Sequence, residues 1–553
     1  MKRFGPFILE PRLSPGRAMV FGVSILAVLA ALLAAAPVFL GYGLSPWQAY
    51  AQIGRGIFGS WPSFSEVLRR AIPLILCGVG LTLAFRAQFW NIGAEGQILA
   101  GAVAATGVAL FLPVPESLRL PLMFLFGFLA GAIWGLIPAL LRVKLGVNDV
   151  ISTLMLNYVM AYIVEWLVHG PWKGPTMRGF AYTDAFPISA RLSYLPGTRV
   201  HWVTLVLGVV SALAVALLLA RTRLGYEIRV VGQNPEAARY AGINFAVVLS
   251  LVMVISGGLA GLAGVGEVAG IHWRLRSPAQ VSMNYGYTAI IVAWLARGSP
   301  VAAIFTALLF GLIFAAGDYM KTVLNLPFQI TGVFNGLILF FLISFDILMF
   351  WRVHGPWKGP TMRGFAYTDA FPHSARHSYH PVTRVHWLTL VLGVALALVV
   401  AFLLARTRLG YEIRVVGQNP DAGRYAGINF TLVLSLVMLI SGGLAGLAGV
   451  GEVAGIHWRL RSPSHISMGY GYTAIIVAWL ARGSPVAAIF TALLFGLIFA
   501  AGDYMKTVLN LPFQITGVFN GLILFFLISF DILMFWRVRI ARKEEVWTSR
   551  AGS

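Results

Sequence analysis

The stretch from Phe245 to Ala269 reads FAVVLSLVMVISGGLAGLAGVGEVA, and its only charged residue is Glu267. An α-helix of this length is long enough to cross the roughly 30 Å hydrocarbon core of a bilayer, because each residue adds about 1.5 Å. The stretch therefore predicts a membrane-spanning helix. Small residues let helix backbones approach closely in lipid. We expect tight helix packing at its glycines, which are Gly257, Gly258, Gly261, Gly264 and Gly266.

The rest of the chain has the same character. Of its 553 residues, 58% are hydrophobic and only 11% are charged, and the mean hydropathy is +0.81. A soluble domain needs more polar surface, since its outside faces water. A membrane protein instead exposes apolar side chains to lipid. The composition therefore predicts an all-α fold, a polytopic transmembrane helical bundle.

About ten apolar runs can be placed within residues 1–351. They lie near residues 18–40, 72–85, 92–111, 122–141, 150–168, 201–220, 245–269, 288–295, 301–319 and 328–351. Positive charges favour the cytoplasmic side, so Lys2, Arg3, Arg12 and Arg17 before the first run predict a cytoplasmic N-terminus. The formal net charge of +21 has the same explanation, because the basic residues lie mostly between apolar runs and meet lipid headgroups. No nucleic acid partner is expected.

An internal repeat occupies most of the chain. Residues 169–353 recur as residues 354–538 with about 18 differences. Such near-identity indicates either a recent tandem duplication or an assembly error in the gene model, and the sequence does not separate the two. We divide the chain into a complete transmembrane domain at 1–353, its near-identical partial duplicate at 354–538 and a basic, polar tail at 539–553.

The repeat has a consequence for topology. Its unit contains about five spans, an odd number, so the second copy begins on the opposite side of the membrane from the first. If every span inserts, the second copy is upside down and places the basic segment 406–424 outside, against the positive-inside preference. Our hypothesis is that only one copy at a time completes the ten-span unit. Which copy does so, and on which side the C-terminus lies, stay open.

The polar segment between two spans, residues 221–243, contains a helix-start pattern. Asn234 is suited to cap a helix, Pro235 to take its first position and Glu236 to lie in its first turn. We expect a short helix from Pro235 to Gly242, on the cytoplasmic side by the alternation of spans. The pattern is equally that of a well-capped connecting loop.

Polar side chains inside or beside apolar runs are candidates for a solute pathway, because they are costly to place in lipid. Asn91, Glu95 and Gln97 could line such a path or could begin a helix at the membrane interface. Glu267 and its duplicate Glu452 could lie on a path or in water near the outer interface. The candidate pathway residues are Asn91, Glu95, Gln97, Asn157, Glu267 and Glu452.

No cofactor or metal ion is expected on this chain. The second copy has His373, His377 and His380, whose spacing suits zinc. No carboxylate or cysteine accompanies them, so we attribute them to sequence drift in a redundant copy. The chain lacks a G-x-x-x-x-G-K-[ST] loop for ATP and a converging set of nucleophile, base or metal ligands, so an enzyme is not expected.

Five motifs carry a resemblance to a known family. They are NIGAEGQ (91–97), NDVISTLMLNY (148–158), GQNPEAARYAGI (232–243), SGGLAGLAGVGE (256–267) and GYTAIIVAWLARGSP (286–300). Together they resemble the inner-membrane permeases of ABC importers for simple sugars and nucleosides, most closely those that work with basic-membrane-protein-type lipoproteins. The resemblance covers residues 1–351 as one permease and 354–538 as a second C-terminal half.

The resemblance implies uptake of a nucleoside or simple sugar by alternating access in the inner or plasma membrane. It implies ABC ATPase subunits, a second permease subunit, an extracytoplasmic substrate-binding lipoprotein and membrane lipid as partners. ATP would be hydrolysed on a separate chain that contacts the segment 232–243. The residues of this ATPase-coupling loop would be Gly232, Asn234, Pro235, Glu236, Arg239, Tyr240 and Gly242, with Asn419, Pro420, Asp421, Arg424, Tyr425 and Gly427 in the second copy.

Three alternative functions make different demands on the sequence. An ion-coupled secondary transporter needs ionisable residues deep in several spans, and only Glu267, Glu452 and Glu165 are candidates. A membrane-embedded enzyme needs a reactive site that the sequence does not show. A non-functional duplicated permease is compatible with the repeat.

Overall fold

The computed structural model describes most of the chain in two compact units. One lies within residues 1–364 and the other within residues 365–510. The described residues are 2–4, 7–11, 17–41, 43–175, 181–324, 351–354, 387–420, 426–453 and 470–507, with residue 423 and a few positions between 333 and 341. The segment with the three histidines of the second copy lies outside them.

The first unit is a helical bundle accompanied by a small antiparallel sheet. Its helices are α1 (Arg17–Gly41), α2 (Pro46–Phe58), α3 (Trp61–Arg86), α4 (Ala94–Phe111), α5 (Glu116–Leu145), α6 (Asp149–His169), α7 (Trp202–Arg221), α8 (Arg223–Gln233), α9 (Pro235–Tyr240), α10 (Phe245–Gly266), α11 (Pro278–Val281), α12 (Tyr285–Leu295) and α13 (Pro300–Thr322). A 3-10 turn (Ile188–Ala190) precedes α7, and a π-helical turn (Glu267–His272) follows α10. In the sheet, β1 (Lys2–Phe4) pairs with β2 (Phe7–Pro11), which pairs with β3 (Trp351–His354).

The second unit repeats part of this bundle. Its described helices are α14 (Trp387–Arg406), α15 (Arg408–Gln418), α16 (Phe430–Gly451), α17 (Tyr470–Leu480) and α18 (Pro485–Thr507). They correspond by sequence to α7, α8, α10, α12 and α13.

The prediction of a polytopic helical bundle is confirmed. Within the described residues, nine helices are long and apolar enough to cross a membrane, and part of α1 forms with α2 one further pair bent by 109°. The predicted short span at 288–295 corresponds to α12, which has 11 residues. The predicted span at 328–351 lies largely outside the described residues.

One predicted boundary was wrong. Helix α3 begins at Trp61, about three turns before the predicted start at residue 72. Its cap is Ser60, whose hydroxyl accepts from the Ser63 amide at 3.3 Å. The first turns carry charged residues that lower the local hydropathy, and the protein interior accommodates them through ion pairs described below. Hydropathy alone therefore placed the start of the helix too late.

Glycines of α10 lie against α5 with almost no space between the backbones. A methyl group on Gly261 would lie 3.1 Å from the Cα atom of Gly131 and would collide with the Gly127 carbonyl oxygen. The predicted tight packing is confirmed. The equivalent of Gly261 in the second unit is Gly446, and none of the described residues lies within 4 Å of a methyl group placed there. The same sequence is thus closely packed in the first unit and lacks such packing among the described residues of the second.

A groove in the second unit lies at the position where the first unit has a further neighbouring helix. Helices α14, α16 and α18 line an apolar groove of about 630 Å³. Its residue Gly393 corresponds to Gly208 of α7, where a methyl group would lie 3.2 Å from Ile75 of α3. Among the groove residues only Leu396 differs from its counterpart, Ser211. The described second unit is therefore a half-bundle without a counterpart of α3.

Candidate functional site

The backbone between α3 and α4 is irregular over residues 87–93, and its buried peptide groups need hydrogen-bond partners. One face of α6 supplies them, because Asp149, Thr153 and Asn157 lie four residues apart. Their side-chain oxygens accept from three backbone amides, two in this segment and one in the first turn of α4, at 2.6, 3.2 and 2.8 Å. The donors are Trp90, Ile92 and Gly96. The motifs NIGAEGQ and NDVISTLMLNY therefore form one structural unit.

Two of the predicted pathway residues, Asn91 and Gln97, pair with each other. Each side-chain amide donates to the other's oxygen at 3.1 Å. The Asn91 amide also donates to the Ser256 hydroxyl of α10 at 3.2 Å. Both residues are almost completely buried, and they flank the start of α4 at Ala94. Their polar groups join the irregular segment to α10.

Glu95, in the first turn of α4, holds the start of another helix. Its carboxylate accepts from the Gly286 amide of α12 at 2.8 Å. Further hydrogen bonds come from the amides of Asn284 and Tyr287 and from the Ser282 hydroxyl. A negative charge is favourable at the N-terminus of a helix, so this contact fixes α12 against α4.

Glu267 begins the π-helical turn and is almost completely buried, with 1% of its surface exposed. This excludes the alternative that it lies in water. Within the described residues its Oε2 atom has no hydrogen-bond partner. The nearest basic group is the His272 imidazole, whose Nε2 atom lies 3.8 Å away. Glu267 is therefore an uncommon group, a buried carboxylate without a direct donor on one oxygen.

The loop before α7 braces this turn. The Tyr194 hydroxyl donates to the Gly270 carbonyl at 2.5 Å, and the Leu192 amide donates to the Ala269 carbonyl at 3.0 Å. Trp273, directly after the turn, has φ of 52°, in the left-handed region that side chains other than glycine rarely adopt. The shape of the turn is thus held by several contacts.

His201, immediately before α7, lies against the same turn. A methyl group on Gly270 would lie 2.6 Å from its Cδ2 atom, and its Nδ1 atom contacts the Thr204 hydroxyl. Burial, and next the positive charge of Arg69, lower the pKa of His201 to about 3. The imidazole is therefore neutral at physiological pH.

The sequence did not predict the ion pairs of α3. The Arg70 guanidinium donates to the Asp318 carboxylate of α13 at 2.5 Å and to the Tyr285 hydroxyl of α12 at 3.0 Å. Arg69 donates to Glu66 at 2.6 Å. The three-residue spacing of Glu66 and Arg69 on one helix face was the available signal. It was missed because the hydropathy placed these residues before the span.

The predicted helix at the segment 221–243 is present as α9. The Asn234 side chain accepts from the amides of Glu236 and Ala237 at 3.0 and 3.1 Å, as a capping residue does. The helix ends at Tyr240 rather than at the predicted Gly242. Gly242 follows in the left-handed conformation, with φ of 72°, which terminates helices.

Helix α9 is exposed, and the helix before it is anchored. Tyr240 is 92% exposed, and Arg239 donates to the carboxylate of Glu236 at 3.3 Å on the surface. Helix α8 was not predicted. A methyl group on its Gly232 would collide with the Arg86 carbonyl at the end of α3. The α8–α9 segment is thus a surface feature in firm contact with a buried helix.

The second copy reproduces the start of this feature. Asn419 and Pro420 follow α15 as their counterparts follow α8, and Gly427 has φ of 74°. The predicted coupling residues Asp421, Arg424 and Tyr425 lie outside the described residues. Glu452 directly follows α16 and is partly exposed, unlike Glu267.

A single family profile matches both copies of the repeat. The profile described as "Branched-chain amino acid transport system / permease component" matches residues 63–343 and again residues 344–528. The first match includes the irregular segment, the π-helical turn and α9. No solved structure matches the chain significantly.

Curated relatives are permeases of ABC transporters. The glucose ABC transporter permease protein TsgB13 of Haloferax volcanii is 35% identical over 355 residues, which cover 62% of this chain and 93% of the relative. The nucleoside permease protein NupB of Lactococcus lactis is 32% identical, with 58% and 90% covered. The guanosine permease protein NupP of Bacillus subtilis is 28% identical, with 58% and 92% covered. This chain belongs to the branched-chain amino acid transport system / permease component family and is a multi-pass membrane subunit of an ABC importer.

Proposed function

We propose that the chain imports a nucleoside or a simple sugar. The observation that carries this proposal is the similarity to the glucose, nucleoside and guanosine permeases, each matched over 90% or more of its length. Their named solutes share a hydroxylated ring without a fixed charge. The partners are two ABC ATPase subunits, a second permease subunit and an extracytoplasmic substrate-binding lipoprotein. The N-terminus is cytoplasmic, in the inner or plasma membrane.

Helix α9 is the proposed docking surface for the ATPase. Its side chains Tyr240, Glu236 and Arg239 are largely exposed and contribute little to the packing of the bundle. Through Gly232 the segment rests on the end of α3, so a push on α9 reaches the buried centre of the bundle. A shift between two states requires different contacts in each, and the ATPase would supply that difference here.

The first copy is the proposed working copy. Its α10 packs on α4 and α5, whereas in the described part of the second unit the counterpart of Gly261 has no neighbour within 4 Å. This packing, which connects α9 of the first copy to a closed interior, supports the proposal. Under this proposal, the corresponding segment 419–427 of the second copy does not take part in ATPase docking.

The six candidate pathway residues receive two roles. Asn91, Gln97 and Asn157, together with Glu95, position the irregular segment and the start of α12 beside the path, since their polar groups bond within the protein. Glu267 faces the path itself. Glu452 has the same role only if the second copy is the working one.

Co-purification with an ATPase subunit tests the docking surface. Replacing Glu236 and Arg239 together by Ala should reduce ATPase recovery and solute-stimulated ATP hydrolysis at unchanged thermal stability, because both side chains are exposed. The matched control replaces Asp421 and Arg424. If the control pair is the sensitive one, the second copy is the working copy, and if neither pair matters, α9 is not the docking surface.

A further inference from the structure

We propose that the π-helical turn after α10 binds ring hydroxyl groups of the transported solute, with the Glu267 carboxylate as acceptor and the His272 imidazole as donor. This inference rests on the importer function proposed above and assigns the solute contact within it. The class of ligand is a pentose or hexose ring, free or as part of a nucleoside.

Two unpartnered atoms define the site. In the described part of the chain neither Glu267 Oε2 nor His272 Nε2 has a hydrogen-bond partner, and the 3.8 Å between them is too long for a direct bond. A buried carboxylate oxygen without a donor is costly. For a hydroxyl oxygen placed about 2.8 Å from both atoms, the angle from Glu267 Oε2 through that oxygen to His272 Nε2 would be about 85°. Such a hydroxyl donates to the carboxylate and accepts from the imidazole.

The surrounding charges favour a neutral ligand. Arg69 and Arg70 are the cations that act on Glu267, but their guanidinium groups are already bonded to Glu66 and Asp318. Among the residues that the structure describes, no three metal-ligating side chains come together. The positive charge near Glu267 repels a cationic ligand. A hydroxyl group can supply the hydrogen-bond donor that the Oε2 atom of Glu267 lacks among the described residues.

A second donor lies on α3. The Nε atom of Arg70 is buried and has no hydrogen-bond partner among the described residues, while its terminal nitrogens are held by Asp318 and Tyr285. The guanidinium is thus fixed in orientation. Arg70 is one of the cations whose charge acts on Glu267, and its Nε atom is a further donor on α3.

The turn has the rigidity that a binding site requires. Its carbonyls at Ala269 and Gly270 are bonded to the loop before α7, and Trp273 is held in a left-handed conformation. Single π-helical turns within α-helices occur frequently at functional sites. The left-handed Trp273 directly follows the turn that carries the unpartnered side chains, and a ligand contact there accounts for both features.

The duplication supplies a matched control. Glu452 is the counterpart of Glu267, but the repeated segment 354–538 contains no counterpart of Arg69 or Arg70, which lie before residue 169. Glu452 is also partly exposed. The complete site exists in the first copy alone.

The experiment uses the full chain, reconstituted in proteoliposomes with its ATPase subunits and binding lipoprotein. Uptake of tritiated guanosine is compared with uptake of 2′,3′-dideoxyguanosine, and D-glucose with its deoxy analogues, to identify the ring that is bound. For the transported solute, Glu267→Gln should raise the half-saturating concentration roughly tenfold or more, as loss of a charged hydrogen bond predicts. The deoxy analogue, which lacks the contact, should be unaffected. His272→Gln should act in the same direction, and Glu452→Gln should change neither solute.

Three results would overturn the inference. Equal losses for the solute and its deoxy analogue would show that Glu267 is structural. Unchanged uptake in both Glu267→Gln and His272→Gln would remove the site while leaving the importer proposal intact, provided that Glu236 and Arg239 remain necessary for the ATPase. Transport of neither guanosine nor glucose by the unaltered protein would reject the proposed solute class and this site with it.

Discussion

The amide oxygen of Asn157 lies 2.8 Å from the backbone nitrogen of Gly96, and its amide nitrogen lies 2.8 Å from the Ile92 carbonyl oxygen. One side chain of α6 thus satisfies an acceptor of the irregular segment and a donor in the first turn of α4. Non-helical backbone inside a membrane bundle is tolerated only where the protein supplies such partners.

Asn157→Leu should destabilise the protein by roughly 2 kcal/mol, because it leaves two buried backbone groups without partners. Thermal unfolding of the detergent-solubilised protein measures this loss. Ser152→Ala is the control on the same helix, since among the described residues the Ser152 hydroxyl donates only to the Asp149 carbonyl of its own helix, at 3.3 Å. Equal effects of the two changes would contradict the role of Asn157.

Gly261→Leu and Gly446→Leu should differ sharply, although the two positions have the same sequence context. At Gly261 the new side chain would collide with α5, whereas at Gly446 nothing lies within 4 Å of the first added carbon. Overpacking a closed helix interface costs more than about 1–3 kcal/mol when backbone must move. We expect loss of folded protein for Gly261→Leu and normal yield for Gly446→Leu, measured by fluorescence-detected size-exclusion chromatography. Similar losses would show that the second copy also packs this face.

Asp318→Asn should destabilise the bundle through Arg70, whose buried guanidinium would lose its carboxylate partner. Because the Asp318 side chain is half exposed, water softens the loss, and we expect about 1–2 kcal/mol rather than the larger cost of a fully buried pair. The comparison is the pair of Arg223 and Glu227, in which the arginine side chain is 91% exposed. Arg223→Gln should change the melting temperature very little. A drop as large as that of Asp318→Asn would contradict the expectation that the ion pair with the buried arginine contributes more to stability.

Acidification should destabilise the protein through His201. The pKa of His201 is lowered to about 3 in the folded state. Between this value and the unfolded-state pKa of about 6.5, the unfolded chain binds a proton at His201 and the folded chain does not. Stability is therefore full above that value and falls as the pH drops from about 6.5 toward 3. His201→Gln should show a flatter melting temperature between these limits than the unaltered protein. Parallel pH curves would refute the assignment.

The sequence predicted the helical bundle because long apolar runs have one physical explanation in a chain of this composition. It predicted the cap of α9 because Asn234, Pro235 and Glu236 act locally, within one turn. It also predicted the close packing at Gly261. These features depend on neighbours in sequence or on residue type alone.

The functional connections depend on residues far apart in the chain, which periodicity does not bring together. The contact of Glu95 with Gly286 joins positions 191 residues apart, and Arg70 meets Asp318 across 248 residues. The burial of Glu267 was equally invisible, because a carboxylate at the end of an apolar run can lie inside or outside the bundle. Only the folded arrangement separates the two.

The bare face of α16 bears on the age of the repeat. Gly442, Gly443, Gly446 and Gly449 remain identical to their counterparts, although within this structure none of them would obstruct a larger side chain. Steric selection gives no reason to retain glycine there, and unconstrained codons drift toward other residues with time. Their persistence agrees with the near-identity of the whole repeat, which a recent tandem duplication and an assembly error in the gene model would both produce.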